Sequence, residues 1–202
     1  MNLKPEQIDA LTELINIGVG RAAGVLNQML HHHITLEVPN IKVLSHQELR
    51  QGLNGLDQGT VSTVRMDFKG AFSGTTALVF PPASAAHLAA ILSQEDPENS
   101  DLDSVRIGAL TEVGNIVING VMGSITNVLA QYVSYSMPLY LEDTIENLLI
   151  SHCSDSGSVV LVAQTRFTIE HLQIEGDIIL LFESSFDALL AAIDRVQDQH
   201  LE

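Results

Sequence analysis

A glutamate and an asparagine stand one helical turn apart at Glu13 and Asn16, and the same pair returns at Glu112 and Asn115. A carboxylate accepts hydrogen bonds and pairs with cations, whereas a carboxamide both donates and accepts and carries no charge. The two glutamates lie in separate halves of the chain and do not read as a glycosidase-type carboxylate pair. Placed on a helix at about 100° per residue, Asp9, Glu13, Asn16 and Gly20 fall within one narrow arc. Gly108, Glu112, Asn115, Asn119 and Gly123 make the equivalent face later in the chain. Residues with little or no side chain on such a face let another molecule's backbone approach closely. One copy alone reads most simply as a solvated helix face. Its return favours a recognition surface.

The elements that carry these residues recur as well. Leu11-Thr12-Glu13-x-x-Asn16 reappears as Leu110-Thr111-Glu112-x-x-Asn115, about 99 residues on. The same offset relates Ile17 to Ile116, Gly24 to Gly123, Leu30 to Leu129 and Pro39 to Pro138. Gly74 to Phe80 matches Gly176 to Phe182, and Leu88-Ala-Ala-Ile91 matches Leu190-Ala-Ala-Ile193. There the offset is longer by about three residues, which fits one small insertion in the second half.

Pro5 suits a first helical turn, and Glu6 and Asp9 complement the helix dipole. Ile8, Leu11, Ile15, Ala22, Leu26 and Met29 then form an apolar stripe at steps of three or four. Ile34 to Pro39 reads as a strand that Pro39 places near an edge or bend. Val61 to Phe68 and Ala77 to Phe80 read as a hairpin around Lys69-Gly70, and Pro81-Pro82 opens a helix through Leu92. The second half predicts a helix near 103–131, a strand near 133–141, hairpin strands near 158–182 and a helix near 184–196. Loops are expected near 51–58 and 143–156. The expected fold is α+β, a single domain over 1–202 built from two structural repeats (about 1–99 and 100–202). A pseudo-two-fold relates the repeats, and long helices pack on a largely antiparallel sheet. Either repeat alone would leave an apolar sheet face in water, so one shared core is expected.

Composition narrows the function classes. The 202 residues include 9 Lys and Arg against 25 Asp and Glu, a net charge of −16 with pI near 4.6 and mean hydropathy +0.21. With 46% hydrophobic residues the chain buries a substantial core, which excludes disorder. Such acidity repels phosphate backbones and anionic lipid, so neither nucleic acid nor a membrane surface is an expected partner. Val113 to Leu141 holds no charged residue, but Asn115, Asn119, Ser124, Thr126, Asn127 and Gln131 interrupt it with groups costly in hydrocarbon. The first residues lack the basic-then-apolar order of a signal peptide. The lone Cys153 makes no internal disulfide and suits a reducing compartment. A cytoplasmic location is expected.

Other motifs carry less. Gly18-x-Gly20-x-x-Ala23 fits a loose dinucleotide fingerprint but lies inside a helical run with no strand before it. His31-His32-His33 points in three directions on any regular backbone and reads as a solvated junction, not a metal site. Cys153 has no fixed histidine partner, and no Gly-x-Ser-x-Gly elbow occurs. No metal constellation is evident.

Asp9-x3-Glu13-x2-Asn16-x22-Pro39 resembles the signature of the CheC/CheX/FliY family of chemotaxis phosphatases, and Glu112-x2-Asn115-x22-Pro138 matches it again. Two copies in one chain are most like the two-site, CheC-like members. The second copy departs at its leading position, where Gly108 stands in place of Asp or Ser. The resemblance implies hydrolysis of the aspartyl-phosphate of a CheY-like response regulator. It makes Asn16 and Asn115 the groups that orient the attacking water, and Glu13 and Glu112 the partners of a lysine beside the phosphorylation site. Asp9, Gly20 and Asn119 would line the contact with the regulator. Mg²⁺ would belong to the regulator, with no cofactor bound by this chain, and a CheD-like deamidase is a further implied partner. The alternatives are a non-catalytic docking module for a regulator or a CheD-like partner, and a duplicated structural domain without a site.

Overall fold

Lys4 begins the first helix by a reciprocal cap. Its carbonyl accepts from the N–H groups of Gln7 and Ile8, while the Gln7 side-chain oxygen accepts from the Lys4 N–H at 3.0 Å. The computed structural model describes residues 3–30, 33–45, 59–93, 104–150, 159–169, 172–183 and 185–199. Helix α1 (Pro5–Leu30) leads into strand β1 (Ile34–Ser45), and the Asn27 side-chain oxygen accepts from the Ile34 N–H across the join. The hairpin β2 (Thr60–Gly70) and β3 (Gly74–Phe80) and the helix α2 (Pro82–Ser93) complete the first half. Gly70 turns that hairpin with φ 152°, and a Cβ there would run into the Tyr132 carbonyl.

The second half repeats the order with α3 (Ser104–Val128), β4 (Val133–Tyr135), β5 (Leu139–Thr144), a short α4 (Ile145–Ile150), β6 (Val159–Ile169), β7 (Leu172–Phe182) and α5 (Phe186–Gln199). Helix α3 ends in a Schellman arrangement. Gln131 N–H donates to the Thr126 carbonyl at 2.8 Å, Ala130 N–H donates to Asn127, and Ala130 takes the left-handed φ of 50°.

The seven described strands form one sheet in the order β1-β6-β7-β3-β2, with β4 and β5 both along the far side of β2. Every pairing is antiparallel. At the centre Ala77 of β3 lies opposite Ile179 of β7, two residues that hold equivalent places in the repeated sequence. The sheet therefore reads alike in both directions from that point. The halves are also interlaced, because β1 pairs with β6 of the other half, and β4 and β5 pair with β2. The helices cross over in the same way, with α2 against α3 and α5 against α1.

One face of the sheet carries Met66, Phe68, Leu78, Phe80, Phe167, Ile178, Leu180 and Phe182, which share a core with Leu11, Ile15, Val19, Val117, Ile118 and Val121 of α1 and α3. Phe182 stacks edge-on to Phe68 and tilts against Phe186, both at 5.5 Å, so strands β2 and β7 and helix α5 meet in one aromatic contact. Above the sheet α1 and α3 cross with their backbones nearly touching. A Cβ on Gly18 would lie 2.6 Å from the Gly120 carbonyl oxygen, and one on Gly120 would lie 2.7 Å from the Gly18 oxygen. Gly114 similarly seats α3 on Val64 of β2. The opposite sheet face holds a smaller cluster of Val61, Ala77, Val79, Val160, Ile179 and Leu181 with Ile145 of α4.

Several expectations need correction. Residues 133–141 are not one strand, because the chain breaks between Tyr135 and Leu139, around Pro138, which has no N–H to give a ladder. Residues 145–150 are helical, not loop. Its start is fixed by Thr144, whose hydroxyl accepts from the Asn147 N–H at 3.2 Å. On α1 the stripe residues Ile8 and Met29 are 40% and 43% exposed, both near the ends of the helix, whereas Leu11 to Leu26 of the stripe are buried. The loop expected at 51–58 and the part of the other at 151–156 lie outside the described residues. No described helix is long and apolar enough to cross a membrane.

Two stability predictions follow from this packing. Gly18→Ala is expected to lower stability by about 1–3 kcal/mol, since the methyl meets backbone that has no room to move. Gly24→Ala, whose Cβ meets nothing within 4 Å, is expected to raise stability by up to about 1 kcal/mol. Urea denaturation of both variants checks the pair. On the other face, burial raises the Asp177 carboxyl above its ordinary value of 3.8, with Lys42 opposing the shift and Glu175 adding to it. A raised acid favours the folded state only while protonated, and that contribution is lost as pH rises through its folded pKa. Asp177→Asn is thus expected to be more stable than the parent at pH 7, with the difference closing as pH falls through the raised folded value toward 3.8. Denaturation midpoints across that range decide it.

Candidate functional site

The crossing at Gly18 and Gly120 fixes which sides of α1 and α3 face out. Leu11, Leu14, Ile15, Val19 and Ala22 point into the core, which leaves Asp9, Glu13, Asn16 and Gly20 exposed along the opposite face of α1. On α3 the same logic leaves Gly108, Glu112 and Asn119 exposed and Asn115 half-buried. Among the described residues, Glu13, Asn16 and Glu112 have no side-chain hydrogen bond or ion pair, so their bonding capacity is open to solvent or to a docked molecule. The local build is also shared. Thr12 and Thr111, beside the two glutamates, each donate a hydroxyl to the carbonyl four residues earlier, both at 2.7 Å.

The glycines divide into two kinds. Gly18, Gly114 and Gly120 are required by internal contact, whereas Gly20, Gly24, Gly108 and Gly123 have nothing within 4 Å of an added Cβ. Glycine inside a helix costs about 1 kcal/mol relative to alanine. Among the described residues nothing offsets that cost at the open positions.

The two faces differ in detail. Asn119 Nδ2 donates to the Asn115 side-chain Oδ1 at 2.7 Å and to the Asn115 carbonyl at 2.8 Å. Gly20 holds the corresponding place on α1, so Asn16 has no such neighbour. Conversely, Asp9 stands on α1 where α3 has Gly108. Their four-residue spacing could have pointed to the Asn115–Asn119 bond, since such pairs are neighbours on a helix.

Sequence reasoning did not anticipate a groove of about 520 Å³ alongside α1. Glu6, Asp9 and Glu13 line its rim, and Leu14, Ile17, Val128, Ile193 and Val196 line its floor. Helix α5 forms one wall and also ties down the start of α1. Asp194 accepts from Gln7 Nε2 at 3.0 Å and from Lys4 Nζ at 3.3 Å, while Gln197 Nε2 donates to the Glu6 carbonyl at 3.2 Å.

Among the described residues no group of three His, Cys, Asp or Glu side chains comes together to hold a metal. His33 and His87 are separately exposed, and His31, His32 and Cys153 lie outside the described residues.

An interlaced α+β fold that displays two matching polar helix faces defines the class of protein. The CheC-like family profile matches residues 6–43, which take in most of α1 and β1. The chain is 30% identical over 139 residues to the CheY-P phosphatase CheC of Bacillus subtilis, covering 67% of this chain and 66% of that protein, just under two thirds of its length. Among solved structures it resembles FliY of Thermotoga maritima, with TM-score 0.76, 19% identity and coverage of 98% and 99% of the two chains. It also resembles a chain of the CheX–CheY–BeF3–Mg complex of Borrelia burgdorferi, with TM-score 0.53, 22% identity and coverage of 85% and 99%. The chain is similar in sequence and fold to the CheC/FliY family of chemotaxis phosphatases.

Because Asp194 serves two donors at the start of α1, Asp194→Ala is expected to cost about 1–2 kcal/mol and to speed amide exchange in the first turns of α1. Exchange rates in α3 should stay at the parent value.

Proposed function

We propose that this chain hydrolyses the aspartyl-phosphate of a CheY-like response regulator, using one site on α1 and a second on α3. The observation that carries the reading is the doubled face: a glutamate and an asparagine one turn apart, exposed or half-buried, beside glycines that no internal packing requires. The relative in Bacillus subtilis is a CheY-P phosphatase, which supports the same substrate here.

The chemistry suits these residues. An acyl phosphate is a reactive mixed anhydride, so a catalyst needs mainly to align water with phosphorus. Asn16 and Asn115 orient that water. Their carboxamides donate and accept hydrogen bonds without setting a charge against the phosphoryl oxygens. The water oxygen attacks phosphorus, the phosphorus–oxygen bond to the aspartate breaks, and the carboxylate leaves as inorganic phosphate forms. Glu13 and Glu112 each pair with a lysine beside the regulator's phosphorylation site, which docks the helix and sets its register. Asp9 and Gly20 line the contact, and the open glycine lets the regulator's backbone come close. Mg²⁺ for charge neutralisation is held by the regulator.

Within this reading the chain acts in the cytoplasm as one domain of two repeats. A CheD-like deamidase is a second partner on the strength of the motif alone, with no residues assigned to it.

Decay of phosphorylated regulator tests the proposal. Replacing both asparagines, Asn16→Ala with Asn115→Ala, is expected to slow assisted dephosphorylation by about 10²–10³ while binding survives. Retention of the parent rate would refute the assignment, and a docking module without catalysis would bind the regulator yet leave its decay unchanged. Glu13→Gln with Glu112→Gln is expected instead to weaken binding and to flatten its dependence on salt, because the pair it removes is screened by ions. Titrations at low and high ionic strength read that directly.

A further inference from the structure

We propose that Asn119 is a positioning residue: it presets the Asn115 carboxamide before the regulator docks, so the second site is oriented in advance and the first is not. The inference rests on the function proposed above and assigns Asn119 a role through Asn115 in place of contact with the regulator.

Asn119 Nδ2 donates to Asn115 Oδ1 at 2.7 Å and to the Asn115 carbonyl at 2.8 Å. A side chain held by such a fork has little freedom left, although it sits on the exposed face of α3. The bond also decides which end of Asn115 faces outward. A free carboxamide rotates between its oxygen and its nitrogen, and the two ends do opposite things to a water molecule. With Oδ1 held by Asn119, Asn115 Nδ2 is left available to donate, and Oδ1 keeps one lone pair for the water. Half-burial of Asn115 restricts it further.

The first site lacks this device. Gly20 takes the place of Asn119, and Asn16 is exposed with no side-chain partner among the described residues. Asn16 must be ordered between the docked complex and the transition state, at a cost in rate of about fivefold. The first site has Asp9 instead, where the second has Gly108. One face thus carries an additional acid and the other an oriented amide, and their kinetic constants should differ accordingly.

The test uses the full chain with the first site silenced by Asn16→Ala and a phosphorylated CheY-like regulator as substrate. In that background Asn119→Ala is expected to lower kcat about fivefold and leave KM unchanged. The melting temperature should not fall, because alanine favours the helix. Unchanged kcat would overturn the proposal. So would a raised KM at constant kcat, which would make Asn119 a docking residue, or a melting temperature that falls together with kcat. Complete loss of activity in Asn16→Ala alone would also overturn it, since the second site would then contribute nothing. Failure of the underlying function looks different: the variant lacking both Asn16 and Asn115 would keep the parent rate. A measurement independent of turnover is nitrogen relaxation of the side-chain amides in the free protein. Asn115 is expected to be rigid and Asn16 mobile, and equal mobility would contradict the proposal.

Discussion

Two helix backbones in contact at Gly18 and Gly120 constrain everything else in this molecule. Helices ordinarily pack 8–10 Å apart because side chains intervene. Glycine at the crossing removes those side chains, so α1 and α3 settle close together on the sheet and neither can rotate about its axis without a clash. The core-facing stripe of each helix is thereby committed, and the polar face of each is committed to the outside. The interlaced topology reinforces this. Each half supplies an edge strand and a second helix to the other, so neither helix face moves independently of the shared core.

That rigidity matters because the proposed chemistry demands placement more than reactivity. A carboxamide is a weak catalyst by any intrinsic measure, and its value lies in where it holds a water molecule. A helix on a packed core holds position better than a loop does. Charge argues the same way. In a chain where Asp and Glu outnumber Lys and Arg 25 to 9, a carboxylate facing a phosphoryl group would add repulsion at short range, and a neutral amide does not. In the proposed reaction the glutamates act on the regulator's cation and leave the reacting centre alone.

Much of this was legible in the residues. The α+β class and the antiparallel hairpins follow from apolar periodicity and turn chemistry, and the doubled Glu and Asn letters pointed to both helix faces. The equivalent prolines show where such reading stops. Pro39 sits in β1, which stays continuous through a register shift between Glu37 and Asn40, whereas around Pro138 the strand is interrupted between β4 and β5. The missing N–H is the same in both, and the neighbouring pairings decide the outcome. Strand partners were equally hidden. Alternation says which face a residue occupies, not that β1 pairs with β6 in place of the hairpin of its own half. Open and packed glycines are likewise identical letters until the opposing helix is present, as Gly18 and Gly20 illustrate. The groove beside Glu13 belongs to the same class, since Val128 and Ile193 reach it from distant parts of the chain.

The account stands on the polar faces of α1 and α3 being the surfaces that meet the regulator. The most direct measurement is backbone and side-chain amide shift mapping of this chain titrated with a CheY-like regulator locked in its active form by beryllium fluoride and Mg²⁺. Perturbations centred on Glu13, Asn16 and Gly20 and on Glu112, Asn115 and Asn119 are the predicted result. Perturbations confined to the sheet edge at β4 and β5 or to the outer sheet face around Asp177, with both helix faces silent, would contradict it.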